Sequence, residues 1–212
     1  QTILPALFLA DKPSTVTVTG GTHNPWAPPF DFLAETFLPA IRTAGFDADC
    51  KLVKHGFFPI GGGKVVLDIQ PWRGHLTLRG EGILPLLTAA GRPVPSKVER
   101  MPAGRKAGTA SPQEAGQTID LCERSSERQI YGRIYTAKLP EHIAQRQRKL
   151  LLQSKFNFKN IEHIEVTDSD GPGNCVMLRL CSGGRTTVFT TFGQKGKPSE
   201  KVVGEVVSLA ED

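Results

Sequence analysis

The sequence lacks the features that mark zinc-binding, disulfide-rich and membrane-spanning proteins. Its four cysteines, Cys50, Cys122, Cys175 and Cys181, form no C-x-x-C pair and have no histidine at metal-ligand spacing. We therefore expect reduced thiols in an intracellular protein, cytoplasmic or nuclear, rather than a zinc site or a disulfide framework. No apolar run approaches the roughly 20 residues of a membrane-spanning helix. The apolar start QTILPALFLA has no basic segment before it, so a signal peptide is not expected either.

A strong charge of one sign is also absent. The 212 residues carry 26 Lys and Arg against 21 Asp and Glu, which gives a formal net charge of +5. This surplus is compatible with a polyanionic partner such as RNA or a nucleotide, but the basic residues are spread along the chain and specify no partner by themselves. Hydrophobic residues make up 39% of the sequence, which is enough for a globular core.

The two ends of the chain each interrupt an apolar pattern. The sequence opens at Gln1 inside an apolar segment, and it closes inside a helical pattern with valines at positions 202, 203, 206 and 207. Glu211 and Asp212 follow, although two acids at a helix C-terminus oppose the helix dipole. We therefore expect the chain to be an internal piece of a longer protein.

The first third of the chain predicts a strand, a turn, a helix and two further strands. The segment 15–19 alternates polar and apolar residues and ends in a pair of glycines. The helix is predicted after Pro28 and Pro29, with a kink at Pro39 and an end at Gly45. CKLVKHGFF and KVVLDIQP then predict two strands, separated by a break at PIGGG.

The rest of the chain contains an irregular segment and a second ordered region. Residues 84–118 interleave proline and glycine with charges, which is typical of a linker or an insertion. After it, RQIYGRIYTAKL predicts a strand, PEHIAQRQRKLLLQSK a helix that starts near Pro140, and IEHIEV, NCVMLRLCSG and RTTVFTTFG three strands. With the valine-rich helix at the end, the order is β-α-β-β-β-α, which suits a small domain.

The segment GGTHNPWAPPFDF at residues 20–32 allows two interpretations. A strand, a glycine turn and a helix start can bring backbone amides and the helix dipole close to a ligand, and an aromatic ring can wall a slot for a flat base. Alternatively, Phe30 and Phe32 are core residues, the glycines turn the chain, and His23 only hydrogen-bonds the turn. The residues alone favour the second, structural interpretation.

The other glycine clusters and the histidines carry weaker signals. Gly61–Gly63 is not a phosphate-binding P-loop, because Lys64 is not followed by Ser or Thr, and it predicts a bulge or a tight hairpin. GPGN at 171–174 predicts a turn. The histidines, His23, His55, His75, His142 and His163, show neither metal-ligand spacing nor a catalytic triad pattern.

Two of these motifs, taken in order, resemble a known family. GGTHNPWAPPFDFL and KHGFFPIGGGKVVLDIQP are similar to segments of the RNA 3'-terminal phosphate cyclases, and LPALFLADKPS, RQIYGRIYTAKLPEHIAQRQ and DGPGNCVMLRL fit the same family in the same order. The resemblance covers nearly the whole chain except residues 84–118. It implies an α/β fold: part of a large domain of repeated β-α-β-α-β-β units, plus a small inserted domain of thioredoxin-like topology. Residues 1–83 would belong to the catalytic domain, 84–122 to a linker or insertion, and 123–212 to the inserted domain.

The resemblance also implies a reaction. Such enzymes use ATP, with a divalent ion such as Mg²⁺ or Mn²⁺, to convert an RNA 3'-phosphate into a 2',3'-cyclic phosphodiester. A histidine of the enzyme takes AMP from ATP and passes it to the RNA 3'-phosphate, and the neighbouring 2'-hydroxyl then displaces AMP. The implied partners are ATP and an RNA with a 3'-phosphate end, without a membrane.

The site residues that the resemblance carries over are those for ATP. Gln1 stands where the family has a glutamine that contacts ATP, and Pro28 and Phe32 stand where a proline and an aromatic residue flank the adenine, with Pro29 and Asp31 beside them. No catalytic residue is carried over, because the family's nucleophilic histidine is expected beyond the chain end. No metal ligand is carried over either, because the glycine-rich, arginine-bearing N-terminal portion that supplies the metal and phosphate contacts in the family has no counterpart in this sequence. We therefore expect this chain alone to be inactive.

The family also has a non-catalytic branch that acts in ribosome assembly. That branch tends to lose the G-G-T and A-P-P features, and both are present here. The resemblance thus favours an RNA 3'-terminal phosphate cyclase, with a non-catalytic RNA-binding or ribosome-assembly factor as the alternative.

Overall fold

The computed structural model describes residues 1–72 and 127–211 and shows a mixed α/β fold with two sheets. The strands are β1 (Ser14–Gly20), β2 (Ala48–Lys54), β3 (Gly63–Ile69), β4 (Gln129–Ala137), β5 (Phe158–Val166), β6 (Gly173–Ser182) and β7 (Arg185–Phe192). The helices are α1 (Leu4–Phe8), α2 (Phe30–Phe32), α3 (Leu38–Arg42), α4 (Glu141–Leu152) and α5 (Ser199–Leu209), and a π-helical turn (Leu33–Phe37) joins α2 to α3. The linker expected at 84–122, including Cys122, and His75 lie outside the described residues.

The first sheet is antiparallel, with the strand order β1-β3-β2. Strand β3 lies in the middle, and its alternate residues Val65, Leu67 and Ile69 point into a buried core. The helical positions that the sequence predicted pack against this core: Phe30, Leu33, Phe37 and Ile41. The amphipathic pattern of the first helix is therefore confirmed.

The helix begins where the diproline predicted. Pro29 is its N-cap in an extended conformation, and Phe30 is the first helical residue. The N–H of Leu38 bonds to the carbonyl of Leu33, a π-helical spacing, and Pro39 falls in the first turn of α3 directly afterwards. The hydrogen-bond pattern of the helix thus changes beside the proline at which a kink was predicted, as irregularities of this kind commonly do.

The second sheet has the strand order β5-β4-β6-β7. Strand β4 pairs in parallel with β5, which it reaches through α4, and antiparallel with β6. Helices α4 and α5 cover a core formed by residues such as Ile134, Leu151, Val176, Leu178, Val202 and Val206. The predicted order β-α-β-β-β-α is confirmed, whereas the thioredoxin-like topology and the domain boundaries stay predictions.

The second predicted strand is shorter in the structure than in the sequence pattern. Strand β2 ends at Lys54, because Gly56 leaves the sheet and its carbonyl accepts hydrogen bonds from the N–H groups of Thr22 and His23. The chain returns to β3 through Gly61 and Gly62, both at φ +73°. The glycine cluster therefore lies in the connection between two antiparallel strands, where this left-handed conformation favours glycine, but the connection spans residues 55–62 and is not the tight hairpin that was predicted.

Candidate functional site

The first two motifs pack against each other through their backbones. Thr22 and His23 donate backbone hydrogen bonds of 2.8 and 3.0 Å to the carbonyl of Gly56, and the Gly56 N–H donates to the Thr22 hydroxyl at 2.9 Å. A Cβ atom on Gly56 would lie 2.4 Å from the nitrogen of Gly63 and 2.5 Å from the carbonyl oxygen of Gly20. Only a residue without a side chain allows this approach.

The loop between β5 and β6 completes this junction. A Cβ atom on Gly173 would lie 2.1 Å from the ring of Phe57, so the ring rests directly on the glycine backbone. The Nδ1 atom of His55 lies 2.8 Å from a carboxylate oxygen of Asp168. The prediction of a turn at GPGN is wrong for its second half, because Gly173 and Asn174 are the first residues of β6, and only Gly171 and Pro172 lie in the loop before it.

His23 begins a buried chain of hydrogen bonds. It is 1% exposed; its Nε2 donates to Oδ2 of Asp31 at 3.1 Å, and its Nδ1 lies 2.8 Å from the Thr22 hydroxyl oxygen. Both ring nitrogens are therefore engaged, and neither is free to attack a phosphate. His23 thus contacts Thr22 of the turn, as the structural interpretation predicted, but it also bonds to Asp31 in α2, which that interpretation did not include.

Asp31 continues this chain of hydrogen bonds to strand β4. Its Oδ1 accepts hydrogen bonds from the hydroxyl of Tyr135 at 2.6 Å and from Nη1 of Arg133 at 2.9 Å. The same Arg133 nitrogen donates to Glu35 at 2.9 Å, and Arg179 of β6 pairs with the other oxygen of Glu35. This buried network ties the start of the first helix to the second sheet.

The network fixes the charge of its members. Burial raises the pKa of Asp31, but the hydrogen bond and charge of His23, the Tyr135 hydroxyl and the charge of Arg133 outweigh it and lower the pKa to about 2. Burial, followed by the negative charge of Asp31, raises the pKa of Tyr135, so its hydroxyl stays protonated and keeps donating. The carboxylate at the helix start is therefore ionised at neutral pH.

Sequence reasoning did not find the distant members of this network. Its only sequence signals are two same-face spacings: Asp31 and Glu35 at i, i+4 on a helix, and Arg133 and Tyr135 at i, i+2 on a strand. These spacings show which side chains share a face, but they cannot show that the two faces meet.

The three residues expected to bind ATP do not all line the same cavity. Pro28 is exposed and lines a cavity of about 430 Å³, together with Trp26, Phe192 and Lys197. Gln1 is exposed and Phe32 is half-buried, and neither lines this cavity. Their roles in ATP binding stay predictions.

The described residues were also examined for metal sites, membrane-spanning helices and disulfide bonds. In residues 1–72 and 127–211, no group of three or more His, Cys, Asp or Glu side chains is placed to hold a metal ion. Within the same ranges, no helix has the length and apolarity needed to cross a membrane. Cys50, Cys175 and Cys181 are free thiols.

Comparison with known proteins decides the family. The sequence profile described as RNA 3'-terminal phosphate cyclase matches residues 1–190. The chain belongs to the RNA 3'-terminal phosphate cyclase family. The matched range contains all three segments that meet at the glycine junction, and the mixed α/β fold is consistent with the fold of this family.

Individual relatives agree with this assignment. The chain is 34% identical to the RNA 3'-terminal phosphate cyclase of Koribacter versatilis, covering 99% of this chain and 48% of that protein. It is 31% identical to the proteins of the same name from Ectopseudomonas mendocina and Ralstonia nicotianae, covering 99% of this chain and 50% and 49% of theirs. The chain thus spans about half the length of the curated relatives it matches.

Proposed function

We propose that the protein containing this chain uses ATP to convert an RNA 3'-terminal phosphate into a 2',3'-cyclic phosphodiester. The observation that carries the proposal is the family match over residues 1–190, which includes both signature-like segments. The structure supports it in one respect: the segment that resembles the adenine-binding turn borders an open cavity, and Pro28 lines it.

The proposed reaction has three displacements. A histidine nitrogen of the full-length protein attacks the α-phosphorus of ATP, and pyrophosphate leaves. An oxygen of the RNA 3'-phosphate then attacks the phosphorus of the histidine-bound AMP and frees the histidine. Finally, the neighbouring 2'-hydroxyl loses its proton, attacks the 3'-phosphorus and expels AMP. The last step is intramolecular, so its reacting atoms are held close together.

The contribution of this chain would be to bind and orient ATP. Asp31 lies between Pro28 and Phe32 in the sequence, and its hydrogen bonds to His23, Tyr135 and Arg133 fix the backbone of this turn. A turn held in this way presents its proline to a flat base without first having to become ordered. Gln1 and Phe32 are proposed as further ATP contacts on the family resemblance alone.

The family reaction implies a divalent ion. Among the described residues, no group of three or more His, Cys, Asp or Glu side chains is placed to hold it. We therefore assign no metal ligand in residues 1–72 and 127–211 and derive no step through an ion.

Covalent labelling of the full-length protein tests the proposal. The protein is incubated with ATP labelled at the α-phosphate and with magnesium, and the protein-bound label is measured before and after addition of RNA with a 3'-phosphate. The expected result is an acid-labile label that this RNA discharges and RNA with a 3'-hydroxyl does not. A protein that binds RNA but takes up no label would instead be the non-catalytic assembly factor.

A further inference from the structure

A second, larger cavity lies beside the one that Pro28 borders. It has a volume of about 960 Å³ and is formed by the turn before α2, the loop before β3, the first turns of α4 and the loop between β7 and α5. It is partly open to solvent, and its lining includes apolar residues, among them Ile143 and Val202. We call this cavity the groove.

Two exposed aromatic rings stand at the groove. Trp26 is 72% exposed and Phe58 is 47% exposed, and their ring centroids lie 4.4 Å apart in an edge-to-face arrangement. Large aromatic side chains are on average well buried, so a contacting pair of exposed rings requires an explanation. Stacking of unpaired nucleic-acid bases is a common use of such a ring.

The ionisable side chains of the groove are all of basic residue types. They are His142 and Arg146 on α4 and Lys195 and Lys197 on the loop before α5, and within the described part of the chain no aspartate or glutamate lines the groove. Arg146 pairs with Glu200 and Lys197 with Glu205, both of which lie outside the lining. Lys195 has no carboxylate partner among the described residues, so it can bind a phosphate without first breaking an ion pair.

The helix ends add to this potential. The first turns of both α4 and α5 contribute to the groove wall, through residues such as His142 and Ser199. The N-terminal end of a helix carries a partial positive charge and attracts anions. The exposed rings and the basic side chains together match two parts of a single-stranded nucleic acid, the base and the phosphate.

We propose that this groove binds single-stranded RNA, with one base stacked on Trp26 and a phosphate at Lys195. The choice of RNA as the nucleic acid rests on the proposed function. The groove and the smaller cavity share Trp26, Gln194 and Lys197 in their walls. An RNA in the groove would thus lie next to the place where Pro28 borders the proposed nucleotide cavity.

Equilibrium binding to an RNA that cannot react separates this proposal from the catalytic one. The full-length protein is titrated, without ATP, into a fluorescein-labelled 12-nucleotide RNA with a 3'-hydroxyl end, and anisotropy is followed at several salt concentrations. Trp26→Ala is expected to raise Kd between about 5-fold and 100-fold, the loss of one base stack, and Trp26→Phe to restore most of the affinity. Lys195→Gln should lower the salt slope of log Kd by about 0.7, the value for one phosphate contact on a single strand.

Matched control variants lie away from the groove. Leu152, which is the last residue of α4 and 64% exposed, is replaced by Ala, and the exposed Lys159 on β5 by Gln. Both variants should bind RNA like the wild type, and thermal melts should show all variants folded. Unchanged binding in Trp26→Ala and Lys195→Gln, or no RNA binding by the wild type, overturns the proposal and leaves a protein segment as the occupant to test. Loss of binding in these variants of a protein that takes up no AMP would support the groove and reject the cyclase reaction.

Discussion

The hydroxyl group of Tyr135 lies 2.6 Å from a carboxylate oxygen of Asp31, and this contact joins residues 104 positions apart in the sequence. Together with Arg133, it connects a turn that resembles an adenine-binding segment to the middle of the second sheet. The buried network restrains this turn in the absence of a ligand, which would favour the nucleotide binding proposed for it.

Replacing Asp31 with Asn should destabilise the protein by about 2–3 kcal/mol. All the neighbours of this carboxylate are donors, so the amide NH₂ group of Asn must face one of them and leave it without an acceptor. Chemical denaturation measures the loss. Asp68→Asn is the control: Asp68 is exposed and accepts one hydrogen bond, from Thr15, so its replacement should cost less than about 0.5 kcal/mol. Equal effects of the two substitutions would contradict a structural role for the network.

The same carboxylate should make stability depend on acid pH. The pKa of Asp31 is about 2 in the folded protein, against an ordinary value of 3.8, so its contribution is complete above about pH 4 and is lost as the pH falls towards 2. The shift corresponds to about 2 kcal/mol. We expect the free energy of unfolding, measured between pH 5 and pH 2, to fall less in Asp31→Asn than in the wild type by about this amount. Parallel curves for the two proteins would show that the folded pKa is not depressed.

Gly56→Ala should be among the most damaging substitutions in the chain. The added methyl group would meet backbone atoms of Gly63 and Gly20 at 2.4 and 2.5 Å, and backbone in a paired sheet cannot move aside as a flexible side chain can. We expect a loss of about 3 kcal/mol or more, measured by thermal or chemical unfolding. Gly204→Ala in α5 has nothing within 4 Å of the new atom and should stabilise by up to about 1 kcal/mol.

Phe32→Ala tests the proposed ATP site, and it depends on the proposed function. If this ring flanks the adenine, its removal should raise the KM for ATP about tenfold or more, because one face of the base loses its contact, and leave the KM for RNA within about twofold. Phe32→Tyr keeps the ring and should restore the KM. Steady-state cyclisation assays on the full-length protein give both constants. A fall in kcat with an unchanged KM for ATP would place Phe32 outside the adenine site.

The local elements of this fold could be predicted from the sequence. The first helix begins after its diproline, β3 alternates buried and exposed residues, and the second sheet follows the expected element order. These features depend on neighbours within a few residues, which periodicity and turn chemistry report directly. The early end of β2 at Lys54 could not be predicted, because Gly56 leaves the sheet to bind a turn 34 positions earlier.

The candidate sites divide in the same way. The motif around His23 could be recognised in the sequence. Its hydrogen-bond partners Arg133 and Tyr135, however, lie about 100 positions downstream of it. The groove could not be predicted from the sequence either, because its two aromatic rings come from separate loops and its basic side chains from elements later in the chain. A sequence motif indicates a local feature of the chain, whereas the residues that contact it from distant positions are set by the tertiary fold.

One indole ring borders two cavities, and this arrangement has a thermodynamic consequence. Trp26 is 72% exposed, so a ligand in either cavity would have to restrict the rotation of the same side chain. Whichever ligand binds first pays that entropy, and the second binds to a ring already held in place. Nucleotide and RNA would then strengthen each other's binding by the same factor, so positive cooperativity between the two substrates could arise from a single side chain without any change in the backbone.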